Sequence, residues 1–231
     1  MKRRRRIGER TSRVSARTQL LHDHRNPRGA TVPSTVIELV RAHDLRLQGP
    51  LRWGRPPACQ ECGIYLVSMT ADPSLLPERN LPDFSVDAID EWLKHAADMT
   101  LDGVRRPSAA SIAERLRRFW LPDEPVVYVG QTEQPLQDRI DQFRGHRLGR
   151  SSPLRGGHWL KVLRNLSSLY LFYAVCDSPL DTEKSILRLF SGRVSPGSRA
   201  RLWDKVNPIP FANLRRFDGT IKNHGFEKQV K

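Results

Sequence analysis

Three stretches of the chain carry the continuous apolar, β-branched and aromatic residues that are typical of buried strands. They lie near residues 63–69, 126–131 and 169–175, and the last of them is apolar on both faces of an extended chain. Segments rich in Gly, Pro or polar residues separate them from their neighbours. We therefore predict a small three-stranded sheet, antiparallel or mixed.

Elsewhere the apolar residues recur three, four and seven positions apart, which is the spacing of one face of a helix. Thr35 and Glu38 have the spacing of a capping box at the start of the first such stripe. The predicted fold class is α/β in the mixed, α+β sense, with helices flanking the sheet. The predicted helices run from Thr35 to about Asp44, from Ser85, from Ser108, from Pro135 to about Leu148, from the segment Gly156–Lys161 through Val162 and Leu163, and from Asp181 or Thr182 onward.

We divide the chain into a basic arm at residues 1–30 and a single domain at residues 31–231. Within the domain, the Gly- and Pro-rich residues 46–62 are expected to form an ordered loop. Residues 71–123 hold two of the predicted helices and form an insertion between two strands. The last residues, with Lys222, Lys228 and Lys231, are basic and expected to fray.

The chain has a net charge of +14, and 38% of its residues are hydrophobic. Residues 1–30 contain ten Lys or Arg against Glu9 and Asp23, which is +8 of that charge. This arm is expected to stay disordered until it meets an anion, with a solvated tail or an organelle transit peptide as alternatives. The basic excess predicts a polyanionic partner, because cations bound to phosphates release counterions.

The sequence contains no secretory apolar region and no apolar run long enough to span a membrane. We expect a cytoplasmic protein, associated with the nucleoid if its source is bacterial. Cys59 and Cys62 have the spacing of a zinc knuckle, but no second pair follows, and His43 and Cys176 are isolated. Reduced thiols are the favoured interpretation, and a zinc site is the lesser one.

The stretch from Val126 to Arg139 is the strongest functional pattern in the chain. It runs from an apolar strand through Gly130 into a helix that begins near Pro135. Such an element can direct the phenol of Tyr128 and the guanidinium of Arg139 at one phosphate. Tyr65 lies on the strand near 63–69.

These residues resemble the signatures of the GIY-YIG nuclease family. Gly63-Ile64-Tyr65 matches the first signature, and Tyr128-Val129-Gly130 is a conservative form of the second. Arg139 follows Tyr128 at the family's distance of eleven residues. The family usually joins the two signatures by a short hairpin, whereas Tyr65 and Tyr128 are 63 positions apart here. The insertion would occupy that hairpin.

The resemblance implies a site for phosphodiester cleavage. Glu183, on the helix that follows the last strand, corresponds to the family's metal-binding glutamate and would hold Mg²⁺ or another divalent cation such as Mn²⁺. Arg139 would neutralise charge on the phosphate. Tyr65 would act as the general base, with Tyr128 beside it.

Two further residues complete the predicted site. His146 lies seven residues after Arg139 and would share its helix face, with Phe143 between them, as an alternative base. Asn213 matches the family's late Pro-x-x-Asn element, and Asn207 is a competing match. A loop, packing or capping role is open for His158.

The insertion has a basic side, formed by Arg105, Arg106, Arg115, Arg117 and Arg118. These arginines either contact nucleic acid or belong to a structural helical cap. The first interpretation assigns nucleic-acid binding to Arg105, Arg106, Arg115 and Arg118.

The predicted function is a metal-dependent endonuclease that acts on DNA, of the restriction or repair type. RNA remains open as a substrate, and a palindromic target would require a homodimer. One alternative is an inactive nucleic-acid-binding protein of the same fold. Another is a ribosome- or RNA-associated basic protein, which predicts that Tyr65, Tyr128, Arg139 and Glu183 lie far apart.

Overall fold

The computed structural model describes residues 32–78, 81–149 and 155–228, so the predicted arm at residues 1–30 lies outside the described residues. The described part is an α+β structure with two small antiparallel sheets. Its helices are α1 (Val36–Arg41), α2 (Val86–His95), α3 (Ala109–Arg117), α4 (Leu136–Gly145), α5 (Arg155–Lys161), α6 (Pro179–Arg193) and α7 (Pro196–Arg201), with a 3-10 turn at Leu166–Ser168. Its strands are β1 (Gln48–Arg52), β2 (Gly63–Ser68), β3 (Met99–Leu101), β4 (Val104–Arg105), β5 (Val126–Thr132), β6 (Tyr170–Val175) and β7 (Phe226–Lys228).

The main sheet has four antiparallel strands in the order β1-β6-β2-β5. All three predicted strands are present and adjacent, with the fully buried β2 between β6 and β5. Strand β1 corrects the prediction of a loop at residues 46–62. Its Gly49 and Pro50 are typical of loops, but Gln48, Leu51 and Arg52 pair with β6 across a bulge.

Each face of the sheet is covered by its own hydrophobic core. On one face, residues such as Val67 and Leu171 pack with α4 and with the helices of the insertion. On the other face, Ile64, Leu66 and Phe172 pack with α1 and α6. Burial on both sides explains why the central strands read as continuous apolar runs.

The first three helices begin at the predicted caps. Thr35 and Glu38 form the capping box of α1, although this helix ends at Arg41, before the predicted Asp44. Ser85 and Ser108 cap α2 and α3, where each hydroxyl accepts a hydrogen bond from a backbone N–H of the first turn. The two helices of the insertion are therefore confirmed.

The second sheet, in the order β4-β3-β7, is absent from the predictions. It joins a hairpin of the insertion to the end of the chain, with Met99 opposite Lys228 and Leu101 opposite Phe226. Phe226 contacts Trp92 and Trp159, at ring-centroid distances of 5.9 and 6.0 Å. The expectation of frayed terminal residues is therefore wrong for residues 226–228.

Lys222 was also expected to fray, yet only 2% of its surface is exposed. Its ammonium group donates hydrogen bonds to the carbonyl oxygens of Pro210 (3.1 Å) and Phe211 (2.9 Å). Phe119 and Trp159 lie beside it, with 5.5 and 5.1 Å from Nζ to their ring centroids. Lys222 thus anchors the loop that leads to Asn213.

Candidate active site

Strands β2 and β5 carry the two tyrosines of the predicted site. In their antiparallel register Tyr65 lies opposite Gly130 and Val67 lies opposite Tyr128, so both phenols leave the same face of the sheet. The centroids of the two phenol rings are 5.9 Å apart. Phe143 of α4 packs against both rings, at 6.0 Å from Tyr65 and 5.1 Å from Tyr128. The two signatures therefore form one aromatic cluster beside α4.

Close approach explains the glycine in each signature. A Cβ added to Gly130 would lie 2.4 Å from Cζ and 2.6 Å from Oη of Tyr65, and 2.8 Å from Cε1 of Tyr128. A Cβ on Gly63 would lie 2.2 Å from the carbonyl oxygen of Ala174. Gly130 therefore creates the space through which the phenol of Tyr65 crosses the neighbouring strand.

Arg139 lies in the first turn of α4. Its Nε and the hydroxyl of Tyr65 are both buried, and no described residue forms a well-aligned hydrogen bond with either atom. Burial raises the pKa of Tyr65, although nearby Arg139 and Tyr128 favour its phenolate form. Burial also raises the pKa of Tyr128, and Tyr65 and Glu183 raise it further. Both tyrosines are therefore neutral phenols near pH 7.

Glu183 extends from α6 towards the same group of side chains. Burial raises the pKa of its carboxyl to about 7, and the positive charges of Arg139 and Lys184 oppose that rise. Its own charge in turn raises the pKa of Tyr65 and Tyr128. The structure thus brings two phenols, a guanidinium and a carboxyl group together, against the expectation of the RNA-associated interpretation.

The position of Glu183 within its helix differs from the prediction. Helix α6 begins at Pro179, with Ser178 as its N-cap, and not at Asp181 or Thr182. Glu183 therefore lies in the second turn, where the helix dipole is a weak explanation for a carboxylate. Helix α6 packs on the sheet through Ile186, Leu187 and Phe190, which belong to the core between the sheet and helices α1 and α6.

Asn213 binds the backbone of β5 between the second signature's tyrosine and glycine. Its Nδ2 donates to the carbonyl oxygen of Val129 (2.7 Å), and its Oδ1 accepts from the N–H of the same residue (2.9 Å). The N–H of Ala212 donates to Val127 (2.9 Å). The segment around Asn213 therefore covers the outer edge of β5 and positions that strand.

Asn207, the competing match, has a different environment. Its Nδ2 donates to Oδ2 of Asp204 at 2.6 Å, and its backbone N–H donates to Oδ1 of the same carboxylate. Asn213 is therefore the asparagine that bonds directly to the strand of Tyr128.

The structure changes the interpretation of His146. Helix α4 ends at Gly145, and His146 has an extended conformation, so the predicted helical face shared with Arg139 does not reach it. His146 is buried, and its Nε2 lies 3.0 Å from Nε2 of His158. Trp92 stacks on His158, with ring centroids 5.4 Å apart. Burial lowers the pKa of His158 to about 4, so this ring is neutral at pH 7.

The four arginines assigned to nucleic-acid binding divide into two groups. Arg105, Arg106 and Arg118 are exposed. Arg115 is only 8% exposed and forms an ion pair with Asp102, so its assignment to a solvent-facing contact is corrected. It also donates to the carbonyl oxygen of His224 at 2.9 Å. Arg115 joins the insertion to the end of the chain.

The cysteines do not form a recognisable metal centre. Sγ of Cys62 donates a hydrogen bond to the carbonyl oxygen of Cys176 at 3.3 Å. Cys59, three residues before Cys62, is buried, and all three thiols are free. Within residues 32–78, 81–149 and 155–228, no group of three or more His, Cys, Asp or Glu side chains is arranged to hold a metal ion. No helix in these ranges is long and apolar enough to cross a membrane.

No protein-family model, curated protein or solved structure gave a significant match to the chain. The resemblance to GIY-YIG nucleases therefore depends on the residues of the two signatures and on their arrangement. Two residues of interest had no sequence signal. Lys222 follows no periodic apolar pattern, and Trp203 is a single aromatic residue in a segment rich in Lys and Arg.

Proposed function

We propose that this protein is a metal-dependent endonuclease of the GIY-YIG kind, which hydrolyses phosphodiester bonds in DNA. The observation that supports the proposal most is the meeting of Tyr65, which is fully buried, with the partly buried Tyr128, Arg139 and Glu183. The polar atoms of this group include the Tyr65 hydroxyl and the Arg139 Nε, which are buried and have no well-aligned hydrogen bond among the described residues. Such atoms are costly for a fold and useful to a ligand.

Glu183 suits a divalent cation in two respects. Its carboxylate offers the oxygen ligands that Mg²⁺ and Mn²⁺ prefer, and among the described residues only the charges of Arg139 and Lys184 compensate its burial. A single protein carboxylate is sufficient for Mg²⁺, which keeps several waters and a substrate oxygen. The bound cation would polarise the phosphate and stabilise the leaving oxygen.

Arg139 would bind the non-bridging oxygens of the phosphate. A guanidinium matches two oxygens at once, and in a site from which water is excluded it stabilises the charge that grows during attack. Tyr128 would orient the phenol of Tyr65, against which its ring is tilted. Phe143 holds both rings in place.

Tyr65 would accept a proton from the attacking water only as its phenolate, after its hydroxyl has released its own proton to solvent. Its raised pKa opposes this role, because burial outweighs the favourable charge of Arg139 in the protein alone. A Tyr65→Phe variant tests the role directly. We expect single-turnover cleavage to fall at least a hundredfold, and a near-normal rate would remove Tyr65 from the reaction.

The proposal is tested by nicking and linearisation of supercoiled plasmid by the purified protein. We expect cleavage with Mg²⁺, none with EDTA, and none with Glu183→Ala. Glu227→Ala is the matched control, because this glutamate is exposed on β7. Cleavage that survives Glu183→Ala would contradict the assigned metal ligand.

One observation favours the alternative of an inactive nucleic-acid-binding protein. Tyr65 is fully buried, so a phosphate reaches its hydroxyl only after the surrounding side chains move. The same plasmid experiment separates the two functions. Salt-sensitive binding of plasmid without any cleavage, in Mg²⁺ and in Mn²⁺, would support the inactive protein.

A further inference from the structure

Trp203 is an exposed indole at a fixed position on the surface. Trp203 lies two residues after the end of helix α7, and 43% of its surface is exposed to solvent. Its backbone N–H donates to the carbonyl oxygen of Arg118 at 2.8 Å, which ties this turn to the C-terminal end of α3. The ring is therefore presented by an anchored backbone.

Arg115 supports one side of this indole. Its guanidinium carbon lies 3.9 Å from the ring centroid of Trp203, which is a close cation–π contact. The guanidinium is itself fixed by the ion pair with Asp102 and by the carbonyl oxygen of His224. Both terminal nitrogens of the buried Arg115 guanidinium are held by these contacts, so the indole rests on a rigid support. The rest of the Trp203 ring faces solvent.

Positive charge surrounds the ring, and the nearby acidic groups are either buried or paired with an arginine. Arg118 is exposed, with its guanidinium carbon 5.7 Å from the ring centroid of Trp203, and Lys205 is exposed two residues further along the chain. Asp204, between Trp203 and Lys205, is buried and accepts hydrogen bonds from Asn207 and from the backbone of Asn223. Asp102 is exposed but paired with Arg115, so the unpaired exposed groups beside the ring, among the described residues, are the cations of Arg118 and Lys205.

A rigid aromatic face beside cations is the usual site for an unpaired nucleobase and its phosphate. We infer that Trp203, supported by Arg115, is a stacking platform for an unpaired base, and that Arg118 and Lys205 contact the adjacent phosphates. The inference rests on the proposed function only in that the partner is a nucleic acid. It requires neither the metal nor Tyr65.

The test is fluorescence anisotropy with a labelled single-stranded DNA of about 12 nucleotides and with the blunt duplex of the same sequence, both in EDTA. Trp203→Ala is expected to weaken single-strand binding by about 5- to 150-fold, the range of one lost base stack. Duplex binding is expected to change by less than about twofold, because paired bases are not available for stacking. A single-stranded RNA of the same sequence shows whether the platform distinguishes the sugar.

Trp203→Phe and Val206→Ala are the matched variants. The phenyl ring retains a stacking face, so we expect most of the affinity to return. Val206 is an exposed apolar neighbour, and its truncation should leave both affinities unchanged. Arg118→Gln should reduce the magnitude of the salt slope by about one while Trp203→Ala leaves it unchanged.

Two results would overturn the inference. One is an unchanged single-strand affinity in Trp203→Ala, and the other is an equal loss for single strand and duplex. Because binding is measured without metal, these results do not depend on whether the protein cleaves plasmid. If the protein did not cleave plasmid and Trp203→Ala still weakened single-strand binding, the stacking platform would be supported and the nuclease function would be contradicted.

Discussion

Strand β5 lies between two groups of buried polar side chains that differ in one respect. At its outer edge, Asn213 and Lys222 use their polar atoms in hydrogen bonds to backbone groups. On its inner side, the hydroxyl of Tyr65 and Nε of Arg139 are buried without a well-aligned hydrogen bond among the described residues, although Tyr128 and Arg139 lie close enough to Tyr65 to favour its phenolate form. The first group is explained by the fold, whereas the second leaves polar atoms that a bound ligand would satisfy.

The two groups differ in the free energy that their buried polar atoms cost the folded protein. A buried polar atom without a partner costs about 1–3 kcal/mol, whereas a satisfied one is close to neutral or modestly stabilising. Glu124 shows that a buried polar group without a well-aligned hydrogen bond does not by itself mark a functional site. Neither of its carboxyl oxygens has a well-aligned hydrogen bond among the described residues, but its pKa of about 8 keeps it protonated, and it does not belong to a group of phenols and guanidinium. Convergence of complementary groups is therefore the better criterion.

The largest expected effect is on the inner group. Replacing Arg139 by Met should lower single-turnover cleavage by roughly 10²- to 10³-fold, because the positive charge at the phosphate is lost. The free energy of unfolding should fall by only about 1–2 kcal/mol, because the contacts of Arg139 with Glu183 and Tyr65 are lost but the Glu183 carboxyl can take up a proton. Urea unfolding and plasmid cleavage of the same preparation measure both quantities.

Arg147→Met is the control for that variant, because Arg147 is exposed just after α4. A large loss of stability in Arg139→Met, with a matching loss of cleavage, would place Arg139 in the structural group. The comparison between the two sides of β5 would then fail.

The outer group should respond in the opposite way. Asn213→Ala removes two hydrogen bonds and leaves both backbone groups of Val129 without them, so we expect a loss of about 2–4 kcal/mol in the free energy of unfolding. Asn223→Ala is the control, because the exposed Asn223 contributes only its backbone to Asp204. Equal stability of the two variants would show that the edge of β5 does not need Asn213.

Lys222 makes a pH-dependent contribution on the same side. Burial lowers its pKa to about 7, while an unfolded lysine keeps its ordinary value of 10.5. Between these values the unfolded state binds more protons, so stability rises with pH in this window. We expect a contribution of about 2 kcal/mol between pH 7 and pH 9.

The measurement is urea unfolding across that range of pH. Lys222→Met should have a flatter profile than the unsubstituted protein, whereas Lys205→Met, which changes an exposed lysine, should keep the original slope. An unchanged slope in Lys222→Met would mean that Lys222 keeps its ordinary pKa in the folded protein.

The elements that could be predicted from the sequence are those marked by the composition or spacing of their own residues. The central strands are apolar on both faces, and the caps at Thr35, Ser85 and Ser108 are local patterns. Strand β1 was missed because Gly49 and Pro50 have the composition of a loop. Strands β3, β4 and β7 were missed because they have only two or three residues each, and β3 pairs with a segment more than a hundred residues away.

The same distinction applies to the candidate site. The meeting of Tyr128 and Arg139 follows from one strand–turn–helix element, which is a local pattern, whereas Tyr65, 63 positions before Tyr128, was joined to them only by the resemblance to a family. The surroundings of Arg115 and His146 depend on contacts formed only in the folded chain. No spacing in the sequence links Arg115 to Asp102, or His146 to His158.

The smallest expected effect concerns His146, the alternative base. The N–H of Gly149 donates to Nδ1 of His158 at 3.3 Å, so neutral His158 carries its proton on Nε2 and donates it to His146. The Nε2 lone pair of His146 is thus used within the fold. We expect His146→Gln to keep cleavage within about threefold, because the amide oxygen of Gln can accept the same hydrogen bond.

His43→Gln is the matched control, because His43 makes a hydrogen bond to the carbonyl oxygen of Leu39 near the end of α1. Both variants should lose about 1 kcal/mol of stability or less. If His146→Gln cleaved plasmid a hundredfold more slowly with unchanged unfolding, His146 would take part in the reaction. A satisfied hydrogen bond would then no longer mark a side chain as structural, and the difference between the two sides of β5 would lose its value for finding the site.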